Sequence, residues 1–177
     1  MSDTVLELRR EFDLSFAQAR HTDAVAAQNL LAVRVGGDPY AIRVDEIAGL
    51  FVGRRVVPVP AAVDAMLGMA GFRGQVAPVY DLAALLGYAR TAAQRWMVLV
   101  RGEHPLALAF DAFDAHLAVA PERIVPLAAD AAAPARPTRP HVGDAVRAHD
   151  MVRPIVRLQS VIDDVQQRVD AARNKER

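Results

Sequence analysis

Two copies of one strand-rich pattern occur in this chain, and this repeat constrains the fold more than any other feature of the sequence. The segment D-P-Y-A-I-R-V-D-E-I, at 38–47, recurs as H-P-L-A-L-A-F-D-A-F, at 104–113. Later in each copy, R-V-V-P-V matches R-I-V-P-L, and V-A-P-V-Y-D-L-A-A-L-L matches V-R-P-I-V-R-L-Q-S-V-I. Three matches in the same order predict two copies of one β module, at about 29–90 and about 94–165.

Hydrophobic periodicity predicts mainly β structure within these modules. Apolar residues alternate over 30–35 and again over 40–44, with G-G-D-P between them, a pattern typical of a β-hairpin. Further strands are predicted over 47–52, 56–59, 76–80 and 152–158, and a short helix over 61–67.

Helices are predicted at both ends of the chain. Thr4 and Glu7 have the spacing of a capping box. An apolar stripe of helical period follows, formed by Val5, Leu8, Phe12, Phe16 and Ala19. These features predict a helix over about 4–20 within an N-terminal extension, 1–28, before a domain at 29–177. A second helix is predicted over about 160–173, with Ser160 and Asp163 at its cap.

A glycine-broken turn lies in the first module, in the segment G-M-A-G-F-R-G-Q-V-A-P-V-Y-D-L, at 68–82. Its glycines permit backbone angles that other residues rarely adopt, so we expect Arg73 to be presented on a tight bend at the mouth of a sheet. A solvated arginine without a function is the other interpretation. Pro78 follows in the next strand, where proline is tolerated only at an edge or a bulge.

The second copy lacks this arginine turn. His149 and Asp150 stand opposite Arg73 and Gly74. The copy contains instead an alanine- and proline-rich stretch at 128–140, which predicts an exposed linker.

Composition limits the function classes. The 177 residues include no cysteine and have a formal net charge of zero, so disulfides, thiolate chemistry and a nucleic-acid-binding patch are not expected. No apolar run approaches the roughly 18 to 20 residues that span a bilayer, and the N-terminus lacks the apolar core of a signal peptide. A soluble, cytoplasmic protein with protein partners is therefore expected.

No catalytic or metal-binding pattern is recognisable. The three serines have no histidine close in sequence, the one lysine is Lys175 in the C-terminal tail, and the five histidines show no ligand spacing. Asp111 and Asp114 could form an acid pair, but the recurrence of Asp45 as Asp111 favours a structural role. We expect no cofactor, no metal and no enzymatic activity.

The pattern R-G-x-x-x-P-x-x-D-L at 73–82, the opening L-A-V-R-V-G-G-D-P-Y-A-I-R-V and the strand W-M-V-L-V resemble the CheW-like family of chemotaxis coupling proteins, over about 29–170. The resemblance implies two SH3-like five-stranded β-barrel subdomains around a shared core, and a non-enzymatic adaptor. It implies docking to the regulatory domain of a histidine kinase and, through a groove between the barrels, to methyl-accepting chemoreceptors. Such an adaptor would be monomeric when isolated and recruited to membrane-bound receptor arrays through its partners, without inserting into the membrane.

The resemblance also implies a partner-binding surface, formed by Ile47, Gly49, Leu50, Gly68, Phe72, Arg73, Gly74, Trp96 and Met97. Typical members have a glutamate at the position of Gly49, and this glutamate pairs with the arginine. Without it, Arg73 could stay unpaired, pair with Glu46 or Asp81, or meet a carboxylate of the partner.

Two other functions remain open from the sequence. One is a detached regulatory domain of a histidine kinase, which has the same fold. The other is a small-ligand-binding or enzymatic β-barrel protein that uses the cleft between the two modules.

Overall fold

A computed structural model describes residues 27–61, 63–89, 95–127, 139–148 and 151–175. The predicted N-terminal helix over 4–20 lies outside these ranges, as do His149, Asp150 and most of the predicted linker. Within the described residues the chain forms eleven strands and two helices, with short 3-10 turns at Val44–Glu46 and Pro121–Arg123.

The strands are β1 (Gln28–Val35), β2 (Asp38–Arg43), β3 (Ile47–Val52), β4 (Met66–Phe72), β5 (Gln75–Asp81), β6 (Trp96–Val100), β7 (Leu106–Phe110), β8 (Ala112–Val119), β9 (Ile124–Pro126), β10 (Val142–Ala148) and β11 (Met151–Val156). The helices are α1 (Leu82–Leu85) and α2 (Leu158–Lys175). The mainly β fold predicted from the sequence is confirmed.

The strands form two mixed sheets, and each sheet takes strands from both copies of the repeat. The first sheet has the order β8-β1-β2-β11-β10-β9, and the second has the order β3-β6-β7-β5-β4. Each copy thus contributes its opening hairpin, β1–β2 or β6–β7, to one sheet and its remaining strands to the other sheet. The contiguous modules at 29–90 and 94–165 are therefore not the two sheets.

Equivalent residues make equivalent pairs in the two sheets. In the first sheet β11 runs parallel to β2, with Ile155 beside Ala41. In the second sheet β5 runs parallel to β7, with Val79 beside Ala107. Since Val79 and Ile155 are repeat-mates, as are Ala41 and Ala107, the two sheets are copies of one arrangement with the hairpins exchanged.

Each parallel pairing begins directly after a proline. Pro78 and Pro154 are the residues before Val79 and Ile155. Proline has no N–H to donate to a neighbouring strand, so these positions limit the parallel ladders to two or three residues.

The core lies between the two sheets. Its largest cluster joins residues of both sheets, such as Ile42 and Leu108, with Leu158, Val161 and Val165 of α2. Each sheet also curls around a smaller cluster of its own. In the second sheet the rings of Phe51 and Phe72, on its two end strands, lie 5.0 Å apart, which is possible only because the sheet curls.

Two local predictions from the first copy are wrong. The helix over 61–67 is replaced by a turn, closed by a hydrogen bond from the Met66 N–H to the Val63 carbonyl, and by the start of β4. Met66 and Leu67 belong to β4, in which Met66 pairs with Tyr80 of β5. The strand over 56–59 is reduced to one bridge, between Val57 and Met69.

The C-terminal helix is confirmed, but its predicted cap is wrong. It begins at Leu158, whose N–H donates a hydrogen bond of 3.3 Å to the Glu46 carboxylate. The cap therefore comes from a residue more than a hundred positions earlier, which local sequence cannot reveal. Ser160 lies inside the first turn, and its hydroxyl hydrogen-bonds His141 instead.

Candidate functional site

Arg73 occupies the tight turn between β4 and β5 and is exposed. Its φ is +46°, and the following Gly74 has a φ of +87°. Left-handed backbone at a non-glycine residue is uncommon, and glycine next to it makes the bend sterically accessible. The turn therefore presents the arginine side chain outward, as the sequence predicted.

The guanidinium of Arg73 lies over the ring of Phe51, 5.7 Å from its centroid. Arg54 lies over the same ring at 5.2 Å. Phe51 is 8% exposed and is held by its contact with Phe72. Cation–π contacts of this kind stabilise by about 0.5–1 kcal/mol each at exposed sites, so the ring orients two positive charges at one place.

Gly49 lies directly beside this pair. A Cβ atom at residue 49 would lie 3.8 Å from Arg73 Nη2, and 3.0 Å from Phe51 Cε2. A carboxylate at this position would be within reach of the guanidinium. With glycine, the Phe51 ring occupies that space, so Arg73 stacks on an aromatic ring where a glutamate would have given an ion pair.

Neither of the two carboxylates considered from the sequence pairs with Arg73. Glu46 accepts the Leu158 N–H and lies 4.0 Å from Arg43. Asp81 is fully buried and accepts a 3.2 Å hydrogen bond from the Ala84 N–H at the start of α1. Among the described residues, no carboxylate forms an ion pair with Arg73, so its donors face outward.

Burial raises the pKa of Glu46 above its ordinary value of 4.5, and the hydrogen bond from Leu158 and the charge of Arg43 partly oppose the rise. This carboxylate therefore ties the β2–β3 turn to α2 at an energetic cost of desolvation. It has a structural role that excludes it from pairing with the arginine turn.

The remaining predicted residues differ in accessibility. Ile47 and Leu50 pack against the core between the sheets, whereas Phe72 and Met97 lie inside the curl of the second sheet. Trp96 is half-buried on the other face of β6, 5.4 Å from the Phe113 ring. Trp96 and Met97 therefore point to opposite faces of one strand and cannot contact one partner together.

Gly68 supports the site without being part of its accessible surface. A Cβ there would lie 2.2 Å from the Val57 carbonyl oxygen, so only glycine lets the segment before β4 pack against the strand. Of the nine predicted residues, Arg73 and Gly74 form the exposed turn, and Gly49 of β3 lies beside Arg73.

Phe51 and Arg54 belong to this site but were missed from the sequence. Phe51 is the aromatic residue within the alternating strand 47–52, and R-R follows it after a glycine. The strand period places Phe51 on one face, but only the curl of the sheet brings that face under the arginine turn.

A second polar cluster joins His141, the residue before β10, to α2. His141 Nδ1 lies 2.9 Å from Ser160 Oγ, and its Nε2 lies 3.3 Å from Asp164 Oδ2, which also contacts Arg168 at 2.8 Å. These are the residue types of a catalytic triad, but the imidazole is 9% exposed and packed between two elements. We interpret the cluster as a tie that fixes α2.

In the part of the chain that the structure describes, no group of three or more histidine, aspartate or glutamate side chains is placed to hold a metal ion. No helix there is both long and apolar enough to cross a membrane.

Comparison with known proteins identifies relatives of this fold. A family model described as CheW-like domain matches residues 29–166. Among solved structures, the chain is similar to the scaffolding protein TtCheW from Thermoanaerobacter tengcongensis, with a TM-score of 0.62 and 16% identity over 73% of this chain and 88% of that chain. At that identity the likeness shows a shared fold. No curated protein sequence gives a significant match.

Proposed function

The chain belongs to the CheW-like domain family, and from that premise we propose that it is a non-enzymatic adaptor that couples chemoreceptor tips to a CheA-type histidine kinase by docking. Family membership supports the role of a chemotaxis scaffold. The specific couplings, to a methyl-accepting chemoreceptor and to the regulatory domain of the kinase, are the parts that need testing. The adaptor would work in the cytoplasm, at membrane-bound receptor arrays that it reaches through these partners.

The observation that supports this proposal best is the outward-facing guanidinium of Arg73. The backbone turn fixes its position and Phe51 fixes its direction, while no carboxylate of the described residues neutralises it. An arginine held in this way can form a bidentate hydrogen-bonded pair with a carboxylate. We propose that the partner supplies the carboxylate that typical family members have at residue 49.

The predicted partner-binding residues then divide into two roles. Gly49, Arg73 and Gly74 would contact the partner, and half-buried Trp96 would contact it only at the edge of β6. The surface would be shaped from below by four buried residues, Ile47, Gly68, Phe72 and Met97, and by partly buried Leu50.

A binding titration against a purified receptor signalling tip, and separately against the kinase regulatory domain, tests this function. Arg73→Glu should weaken binding to one of them by about 10- to 100-fold, since a hydrogen bond to a charged group contributes about 1.5–3 kcal/mol and 1.4 kcal/mol is a factor of ten. Arg73→Lys should fall between, because it keeps the charge but loses the bidentate geometry.

Gly49→Glu is the sharper variant. It would place a carboxylate beside Arg73 within the same chain, and should weaken binding because the partner's carboxylate is then displaced. Arg173→Glu, in the last turn of α2, makes the same charge change away from the turn and should leave affinity unaltered. Equal affinity of wild type and Arg73→Glu for both partners, with unchanged circular dichroism, would remove this arginine from the docking surface.

A further inference from the structure

We propose that the N-terminal segment, residues 4–20, docks its apolar stripe into a groove on the first sheet. The groove lies between the end strands β8 and β9 and is also lined by the β10–β11 hairpin. This inference does not depend on the adaptor function, since it concerns a contact of the chain with itself.

The groove is open and most of its lining residues are apolar, while His116, Glu122, Arg123 and Arg147 also line it. Val119, Val125 and Val152 line it, and Val125 and Val152 are 43% and 53% exposed. In the described part of the chain β8 pairs only with β1, and β9 only with β10, so the groove follows the unpaired edges where the curled sheet does not close. Exposed apolar surface along open edges is a common site of protein contact.

The repeat explains why the groove exists. In the second sheet, the rings of Phe51 and Phe72 fill the equivalent place by packing on each other at 5.0 Å. Ala148, the last residue of β10, is equivalent to Phe72, the last residue of β4. Leu117 pairs with Leu30 of β1, and it is equivalent to Phe51, which pairs with Met97 of β6. The first sheet thus has Leu117 and Ala148, both lining the groove, where the second has two phenylalanines. The groove therefore lacks the two aromatic side chains that the second sheet has at the equivalent positions.

The N-terminal segment can supply those rings. Its predicted helical stripe contains Phe12 and Phe16. The chain leaves this segment at Gln28, the first residue of β1, and Gln28 pairs with Val119 at the end of β8, inside the groove. The eight residues between Ala19 and Gln28 could span at most about 25–30 Å when extended, which sets how far the helix end can lie from the groove.

Cysteine cross-linking tests the contact, because the chain has no cysteine of its own. Ser15 lies between the two phenylalanines and can be replaced without removing the stripe. The full-length Ser15→Cys/Val152→Cys variant, treated with a short bismaleimide, should give an intramolecular product whose yield is independent of protein concentration. The matched control is Ser15→Cys/Val76→Cys, because Val76 is the repeat-mate of Val152 and is 64% exposed on the second sheet. Its yield should be at least tenfold lower.

Two further variants test the chemistry of the contact. In the Ser15→Cys/Val152→Cys background, Phe12→Asp with Phe16→Asp should reduce the yield at least tenfold, whereas Leu14→Asp, on the opposite side of the predicted helix, should not. Ala148→Phe, which restores the ring of the second sheet, should also displace the segment. If this variant does not fold, Val125→Asp tests the same point at the rim of the groove.

Several results would overturn the proposal. Equal yields from the Val152 and Val76 pairs would mean that the segment does not choose this groove. Cross-linked dimers that rise with concentration would mean that a second copy occupies it. Absence of any product, with both cysteines reactive, would mean that the groove is left for another protein.

Discussion

Replacing Gly68 with alanine should disrupt the second sheet near its end strand, whereas the same change at Gly71, three residues along β4, should not. A Cβ at residue 68 would lie 2.2 Å from the carbonyl oxygen of Val57 and 2.7 Å from its carbonyl carbon. The φ of Gly68 is +142°, in a region that alanine rarely adopts. At Gly71 the added Cβ would meet no atom within 4 Å.

The expected loss of stability in Gly68→Ala follows from the contacts that the added Cβ would disrupt. Relieving the contact requires moving the Val57 backbone, which is bridged to Met69 by hydrogen bonds of 2.8 and 2.9 Å. Loss of both costs about 0.5–1.5 kcal/mol each. Backbone strain adds about 1–3 kcal/mol. We therefore expect Gly68→Ala to lower the free energy of unfolding by about 4 kcal/mol, and Gly71→Ala to raise it by up to about 1 kcal/mol.

Urea unfolding, followed by circular dichroism and by the fluorescence of Trp96, the one tryptophan of the chain, measures both variants. If the two glycine-to-alanine changes differed by less than about 0.5 kcal/mol, a typical effect of surface substitutions, the close approach of Val57 to β4 would be refuted. The result bears on the site, since a strong loss of stability would assign Gly68 to packing the Val57 segment against β4 and not to contacting a partner.

Two further predictions concern partly buried polar groups. Because the pKa of Glu46 is raised in the folded protein, its favourable effect on stability is complete below the ordinary value of 4.5 and is lost as the pH rises through the folded value. The stability of wild type relative to Glu46→Gln, which keeps an acceptor for the Leu158 N–H, should therefore increase as the pH falls from 7 to about 4, and a flat difference in urea unfolding would contradict the burial. Tyr88→Phe should cost about 2 kcal/mol, because the Tyr88 hydroxyl donates to the Asp38 carboxylate and lies 2.8 Å from the Tyr40 hydroxyl. Tyr40→Phe removes only the second contact, so an equal loss of thermal stability in both variants would argue against the bond to Asp38.

Much of the candidate site could be read from local sequence. The glycines around Arg73 favour a tight bend, because a glycine such as Gly74 adopts a positive φ without steric cost. The departure of Gly49 from the glutamate of typical family members was implied by the resemblance to the family. What could not be predicted was that Phe51 fills the space beside Gly49, since this depends on the curl of the second sheet, which brings β3 next to β4.

Which face of a strand is buried could not be predicted from local sequence either. Alternation in W-M-V-L-V predicts a strand, but does not say which of its two faces is accessible. Met97 lies inside the second sheet, and Trp96 packs against the core between the sheets. The cap of α2 was misassigned for a related reason, because Glu46 is far from Leu158 in the sequence.

By itself, the sequence determined that the chain has a duplicated, strand-rich fold with a helix at its C-terminal end, because turn residues and hydrophobic period act over a few neighbouring positions. The tertiary structure alone decided that the opening hairpins are exchanged between the copies. Strands such as β2 and β11 are more than a hundred residues apart. These strands pair because their pairing buries one continuous core. Both copies offer equivalent strand edges, so local residue patterns do not show which edge a hairpin will join.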